Sequence, residues 1–408
     1  HMKGYFSNHA EEAARTITAE SGKAIKSARV EVQRAIHIIE DGVEECKRLG
    51  GETIPLDRRP WGESRMALLE RVPRGIVAGI TPFNFPLHLV GHKIVPALAS
   101  RNAIIIKPAS QTPLSALFWA KAFDLAGLPS GALSVLPAGP ASAAPLIDDP
   151  RVKAISFTGS DTVGWQLKAR APKKHVSLEL GGNAGAIVHS DGNLQLAAST
   201  LALGAFALAG QSCISTQRIF AHEDVYDDFA SLLKAEADKM TVGDPADDDT
   251  DIGPVISASD AERIEQWVQN AVDQGAQVLS GNRREGNLYW PTVLTHTTPE
   301  MKVNREEVFG PVVTLTPYRK FDEALEMANN SRFGLQAAVF TNDVRLINRA
   351  YRSLEVGGVM VNQAPTWRID HMPYGGVKDS GEGREGVRFA MQAMTEPRLL
   401  VINFPDDI

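Results

Sequence analysis

An alternation that runs through most of this chain constrains its fold more than any other feature. Short apolar runs bounded by turn residues are followed by segments of helical periodicity, and then by another apolar run. The pattern covers 75–80, a helix after Pro86, 103–106, a helix from Pro113, 133–137, and 154–157 leading into a helix over 163–169. Strands separated by helices are too far apart along the chain for tight hairpins, so they cross over and lie parallel, with the helices covering the sheet faces. A second alternating region opens near Ala184, with helices over 193–209 and 225–240 and strands near Val278, near Val312 and over 337–340. The prediction is α/β, with two helix-covered parallel sheets. Before them, 10–49 has the three- and four-residue apolar spacing of two amphipathic helices divided near Ser21-Gly22-Lys23. Residues 51–71 are polar, turn-rich and alternating at their end, which reads as an extended arm. The apolar stretch 398–404 is expected to pair with that arm or with a neighbouring subunit.

A chain of 408 residues, 43% hydrophobic and 22% charged, has enough apolar material for two or three cores. Its net charge of -7, with lysines and arginines scattered along the chain, argues against nucleic acid as a partner. No apolar run is long enough for a bilayer, and no signal-peptide pattern is read, so no membrane association and a cytoplasmic location are expected. Two cysteines are too few to staple such a chain and fit a reducing compartment. Cys46 falls in a helix-like run, where it is expected to pack as a small apolar residue.

Cys213 is set differently, in Gly210-Gln211-Ser212-Cys213-Ile214-Ser215, where small neighbours let a substrate approach a thiol. Such a nucleophile needs a base. Glu179, in Leu178-Glu179-Leu180-Gly181-Gly182-Asn183, lies between apolar residues that raise a carboxylate's proton affinity, and before a glycine pair that permits close backbone approach. Asn84, between prolines in Thr81-Pro82-Phe83-Asn84-Phe85-Pro86, is a candidate oxyanion donor on a stiff loop. Gly159 and Ser160, in Phe157-Thr158-Gly159-Ser160, end a strand and open a helix, where free N–H groups face a pyrophosphate. Lys107 ends another strand, at the edge where open parallel sheets bind ligands, within reach of a ribose or phosphate. Glu306-Glu307-Val308-Phe309-Gly310-Pro311 offers a carboxylate for a ribose and an aromatic face for a flat ring.

With these segments in this order, together with Lys107-Pro108-Ala109-Ser110 and the stretch PYGGVKDSGEGREG, the chain resembles the aldehyde dehydrogenase superfamily from about Ala10 onward. Family members are usually longer at the N-terminus. The resemblance implies a Rossmann-like dinucleotide-binding domain over 1–50 and 72–180, a catalytic domain over 181–390, and an oligomerisation arm formed by 51–71 and 391–408. It also implies a homodimer or homotetramer. Cys213 would be the nucleophile, Glu179 the base, and Asn84 with the Cys213 backbone N–H the oxyanion hole. Lys107 would hold the adenosine ribose of NAD or NADP, Ser160 the pyrophosphate and Glu307 the nicotinamide ribose, with Phe309 against the nicotinamide. The implied reaction oxidises an aldehyde to a carboxylic acid through a thiohemiacetal and a thioester on Cys213. Glu396 matches a glutamate offered as a second proton relay near the substrate channel, or it is a simple strand entry. No metal is expected, since the ten histidines are read as lacking a spacing such as H-x-x-x-H with a partner acid.

One departure is informative. Many NAD-using relatives carry a glutamate three positions after the lysine; here the residue is Ser110, so NADP is expected to serve at least as well as NAD. Arg368 and His371, before the PYGG motif, are candidates for holding the anionic end of a small substrate, an acid semialdehyde or a phosphorylated aldehyde, unless Arg368 pairs with Asp370 instead. Three other readings stay open: a coenzyme A-acylating dehydrogenase, which would have no use for Glu179 as a hydrolytic base, a catalytically silent oligomerising scaffold, and a cysteine hydrolase, which would need a histidine base that no histidine near Cys213 or Glu179 in the sequence supplies.

Overall fold

The apolar runs of the first half become a six-stranded sheet in a computed structural model that describes residues 1–139, 141 and 143–404. Its strand order is Gly381–Glu382, His175–Glu179, Val152–Thr158, Ile76–Ile80, Ala103–Lys107, Leu133–Val135. Every neighbouring pair is parallel except the short Gly381–Glu382 edge, which runs antiparallel to His175–Glu179. Helices Ile25–Cys46, His88–Ala99 and Pro113–Leu125 bury one face, with Trp119 fully enclosed and its indole N–H donating to the Leu87 carbonyl at 2.8 Å. Val387, Met391 and Met394, far along the chain, return to this same core. Helices Ala143–Asp148 and Asp161–Arg170 cover the other face.

The second sheet has seven strands in the order Gln277–Ser280, Thr292–Thr295, Val312–Tyr318, Thr216–His222, Ala184–Val188, Gln336–Phe340, Gly358–Val361. It too is parallel except at one edge, where Gln277–Ser280 runs antiparallel to Thr292–Thr295. Both sheets therefore depart from the all-parallel expectation at an edge strand, where a reversed strand leaves the parallel interior intact. Residues 398–404 pair within the chain: Thr395–Asn403 runs antiparallel to Arg65–Pro73, which also pairs with Glu52–Ile54. Residues 405–408, part of the expected arm, lie outside the described residues.

The helix expected over 193–209 ends early, at Phe206. Ala207 leaves helical geometry, and Leu208 and Ala209 follow at φ 57° and 52°. Two successive left-handed residues without glycine are costly, by roughly 1–3 kcal/mol each. They turn the chain sharply into the Gly210–Cys213 segment. Strands of the first sheet end at Ile80, Lys107, Thr158 and Glu179, whereas Thr216 and Val312 begin strands of the second. The carboxyl edge of one sheet thus faces the amino edge of the other, with loops from both filling the space between.

Candidate active site

Cys213, Glu179 and Asn84, from three distant segments, line one cavity of about 490 Å³ between the sheets. Two glycines let the backbone close around it. A Cβ at Gly182 would stand 2.0 Å from the Cys213 carbonyl oxygen, and one at Gly210 would stand 2.1 Å from the Gly310 carbonyl oxygen. Gly210 also sits at φ 70°, a conformation glycine adopts without strain. Gly182, three residues after Glu179, and Gly210, three before Cys213, are therefore needed to bring the Glu179 strand end, the Cys213 turn and the 306–311 loop together.

Asn84 Nδ2 donates one hydrogen to the Gln211 carbonyl at 2.9 Å, which ties the Asn84 loop to the Cys213 turn and leaves a second amide hydrogen for the cavity. The loop is anchored from behind by Glu31, whose Oε1 accepts from the backbone N–H groups of Leu87 and His88 at 2.9 and 3.0 Å and whose other oxygen pairs with buried Lys23. Glu179 is only 4% exposed, and neither of its carboxyl oxygens has a hydrogen-bond partner among the described residues. Burial, reinforced by nearby Glu385, pushes its carboxyl well above the usual carboxylate range. Burial also pushes the Cys213 thiol up to about 12, an effect opposed by the hydroxyl of Tyr374, whose oxygen lies 2.9 Å from the sulfur.

Of the residues expected to hold a dinucleotide, Gly159, Ser160, Glu307 and Phe309 line the same cavity as the thiol. Ser160 precedes the helix Asp161–Arg170 and leaves its side chain free of any capping bond, so the helix N-terminus keeps N–H groups for an anion. Glu307 Oε1 accepts from the Gly182 N–H at 2.9 Å, and burial lifts this carboxyl to about 8. Phe309 adopts φ 48° and meets Phe83 edge-on at 5.9 Å, so two aromatic rings stand at this part of the wall. Lys107 and Ser110 do not line the cavity. Lys107 is buried at the end of its strand, with Nζ donating to the Pro108 carbonyl at 3.0 Å, and Ser110 is exposed in the turn beyond. The donor set runs from strand ends to an aromatic wall beside a thiol, an arrangement that fits a nucleotide with a flat ring.

The residues expected to hold a substrate are placed differently from expectation. His371 is exposed and does not line the cavity; it lies toward Asp41, while its neighbour Asp370 turns inward. Arg368 does line the cavity, but its guanidinium is held by Glu385 at 3.2 Å and stacks on the Tyr374 ring at 3.7 Å from the centroid. Asp370 pairs instead with Arg34, whose Nη2 approaches to 2.6 Å and Nε to 3.3 Å. The expected lack of an H-x-x-x-H spacing is also corrected: His88 and His92 lie one helical turn apart and direct Nε2 at one oxygen of Asp370, at 2.9 and 3.4 Å. These three side chains are close enough to hold a cation, but Arg34 already occupies the same carboxylate oxygen, and Arg368 Nη2 lies 3.2 Å from His92 Nε2. A cation there would sit between two guanidiniums, which Coulomb repulsion disfavours.

Glu396 is exposed on the arm, paired with Arg74, and does not line the cavity. Besides Glu179 and Glu307, the cavity is lined by a third glutamate, Glu385, which is buried. Burial raises its carboxyl, but His92, Lys93 and Arg368 outweigh burial and hold it below the usual carboxylate range. Lys93 is wholly buried, donates to Ser156 Oγ and Thr158 Oγ1 at 3.0 and 2.8 Å, and stands 3.7 Å from Glu385. Glu385 and Tyr374 both sit inside PYGGVKDSGEGREG, and Lys93 follows the TPFNFP loop by one helical turn beyond His88. Reading those stretches for individual charges would have exposed them.

The chain belongs to the aldehyde dehydrogenase family, whose model matches residues 1–400. It is 46% identical over 394 residues to the 3-sulfolactaldehyde dehydrogenase of Priestia aryabhattai, covering 96% of this chain and 83% of that one. Its fold matches aldehyde dehydrogenase 21 of Physcomitrella patens in complex with the reaction product succinate, with a TM-score of 0.96, 42% identity, and coverage of 100% of this chain and 85% of the other. It also matches glyceraldehyde-3-phosphate dehydrogenase of Methanocaldococcus jannaschii complexed with NADP, with a TM-score of 0.94, 36% identity, and coverage of 99% and 88%. Among the described residues, no helix is long and apolar enough to cross a membrane.

Proposed function

We propose that this protein oxidises small anionic aldehydes to carboxylic acids, with Cys213 as nucleophile and NADP or NAD as the dinucleotide. The observation that carries the reading is the meeting of one thiol, one unpartnered buried carboxylate and one tethered amide in a single cavity whose wall continues to Ser160, Glu307 and Phe309. Ser160 and Gly159 would hold the pyrophosphate, Glu307 the ribose beside the nicotinamide, and Lys107 the adenosine ribose. The chemistry that a bound dinucleotide supplies is acceptance of a hydride.

The Cys213 sulfur bonds to the aldehyde carbon, and the carbonyl oxygen takes up negative charge as its double bond opens. The free hydrogen of Asn84 Nδ2 and the Cys213 N–H stabilise that oxygen. Once oxidised, the carbon is held as a thioester on Cys213. Glu179, with no competing partner, takes a proton from a water that attacks the thioester; the C–S bond breaks and the acid leaves. A base with raised proton affinity is matched to that task near neutral pH, with the charge of Glu385 raising that affinity and the charge of Lys93 lowering it.

In the cavity lining Arg34 uses Nε and Nη2 on Asp370, and among the described residues no hydrogen bond engages Nη1. That edge suits a carboxylate, sulfonate or phosphate. The names of the sulfolactaldehyde-oxidising relative and of the succinate complex support the same class of substrate. Exposed Leu399, Leu400 and Val401 on the arm support a homodimer or homotetramer, and the scarcity of cysteine supports a cytoplasmic setting.

The test is a panel of short aldehydes with and without a terminal anion, run with each dinucleotide and followed by absorbance of the reduced form. Anionic aldehydes should lead neutral ones of equal length by about tenfold or more in kcat/KM, and Arg34→Gln should remove most of that lead. Equal turnover of both classes by the wild type would refute the substrate reading. Turnover that survives Cys213→Ala would refute the whole.

A further inference from the structure

A fourth group meets the reacting sulfur. Tyr374 is 4% exposed, and its hydroxyl oxygen lies 2.9 Å from Cys213 Sγ. Its position is over-determined. The Tyr374 N–H donates to the Glu385 carbonyl at 3.1 Å and the Glu385 N–H donates to the Tyr374 carbonyl at 2.6 Å, while the Glu385 carboxylate holds Arg368 at 3.2 Å. Arg368 closes the unit by lying over the Tyr374 ring face, 3.7 Å from its centroid. The hydroxyl is thereby fixed on the sulfur from two directions, by its backbone and by its ring.

While the sulfur carries a hydrogen, either atom can donate to the other. A thiolate has none, so the phenol must then be the donor, and a hydrogen bond to a charged acceptor is the stronger kind. The guanidinium over the ring draws electron density from it and sharpens the O–H as a donor. When sulfur is bonded to carbon its charge is gone, and the contact weakens. The contact therefore favours the two moments at which sulfur is anionic: before attack, and as the thioester breaks.

We propose that Tyr374 is a further catalytic residue, its hydroxyl donating to the Cys213 sulfur whenever that sulfur is negatively charged, with Arg368 its positioning residue rather than a ligand of the substrate. The phenol keeps its own proton throughout; the thiol's proton passes to solvent water before attack, which leaves Glu179 free for the water that breaks the thioester. This assignment rests on the reading of Cys213 as nucleophile.

The test is alkylation of Cys213 by iodoacetamide across pH in the full chain, without aldehyde or dinucleotide, with the exposed Cys46 resolved separately by peptide mass spectrometry. Tyr374→Phe keeps the ring and the Arg368 stack and removes only the donor. Its alkylation midpoint, read as a displacement between the rate-against-pH lines of the two proteins below about pH 10 because the wild-type thiol lies at about 12, should rise by about one unit or more, with the rate at neutral pH about tenfold lower. A midpoint that is unchanged or lower overturns the proposal, since a tyrosine with a merely structural role would leave the thiol's titration where it is. Replacing tyrosine globally by fluorotyrosine strengthens the donor without changing its shape and covers the case in which the phenylalanine variant does not fold. There the midpoint should fall, and a midpoint that stays or rises counts against the assignment. A midpoint that moves as expected in a protein that oxidises no aldehyde would leave the Tyr374–Cys213 pair standing and sink only the reaction proposed above. Aldehyde turnover that depends on Cys213, with an unmoved midpoint, would do the reverse.

Discussion

Replacing Glu179 by glutamine separates the two halves of the proposed reaction. Glutamine has nearly the same shape, and because neither carboxyl oxygen of Glu179 has a partner among the described residues, the exchange breaks no hydrogen bond. Burial already pushes this carboxyl toward its neutral form, so a neutral amide suits the site, and the variant should melt no lower than the wild type near neutral pH. A positioned general base typically contributes about 10²–10⁴-fold to rate, or roughly 3–5 kcal/mol of barrier. Acylation does not require the water that Glu179 activates, provided the thiol can still ionise. Glu179→Gln mixed rapidly with aldehyde and dinucleotide should therefore release up to one reduced dinucleotide per subunit in a burst and then turn over hundreds-fold or more slowly. Intact-mass measurement of the quenched protein should find the acyl group on Cys213. To favour thiolate formation the experiment is best run at alkaline pH. Steady turnover within about threefold of the wild type, with no acyl-enzyme, would show that water is activated by another group and would refute the role argued for this carboxylate.

Asn84→Ala removes both the second amide hydrogen and the tie to Gln211, and should lower kcat by about 10²–10³-fold; steady-state kinetics showing a change only in KM would exclude an oxyanion role. Glu307 has a carboxyl raised to about 8 by burial, above the unfolded value of about 4.3, so its contribution to stability is complete below the unfolded value and is lost as pH rises through about 8. The melting temperature of the wild type should fall between about pH 4.3 and about pH 8 and level off above it, and Glu307→Gln, which keeps an acceptor for the Gly182 N–H, should flatten the fall; parallel curves for the two proteins would contradict the cause assigned to the shift.

Strand-and-helix order, the helix divide near Gly22 and the motif residues Cys213, Glu179 and Asn84 could be read from the chain because each depends on local pattern: apolar periodicity, turn chemistry, or a reactive side chain among small neighbours. The resemblance then supplied roles that spacing alone did not. Direction at sheet edges was not readable in this way, since a short strand such as Gly381–Glu382 pairs either way and only its approach to His175–Glu179 settles which. The same holds for the break after Phe206, where strain at Leu208 and Ala209 is offset by contacts elsewhere in the fold. Side-chain partnership was the least legible level. Arg368, His371 and Asp370 are near neighbours in sequence, yet one packs on Tyr374, one faces out and one gathers Arg34, His88 and His92. Composition could say that charges were present; only burial, which makes an unpaired charge expensive, decided which of them must meet.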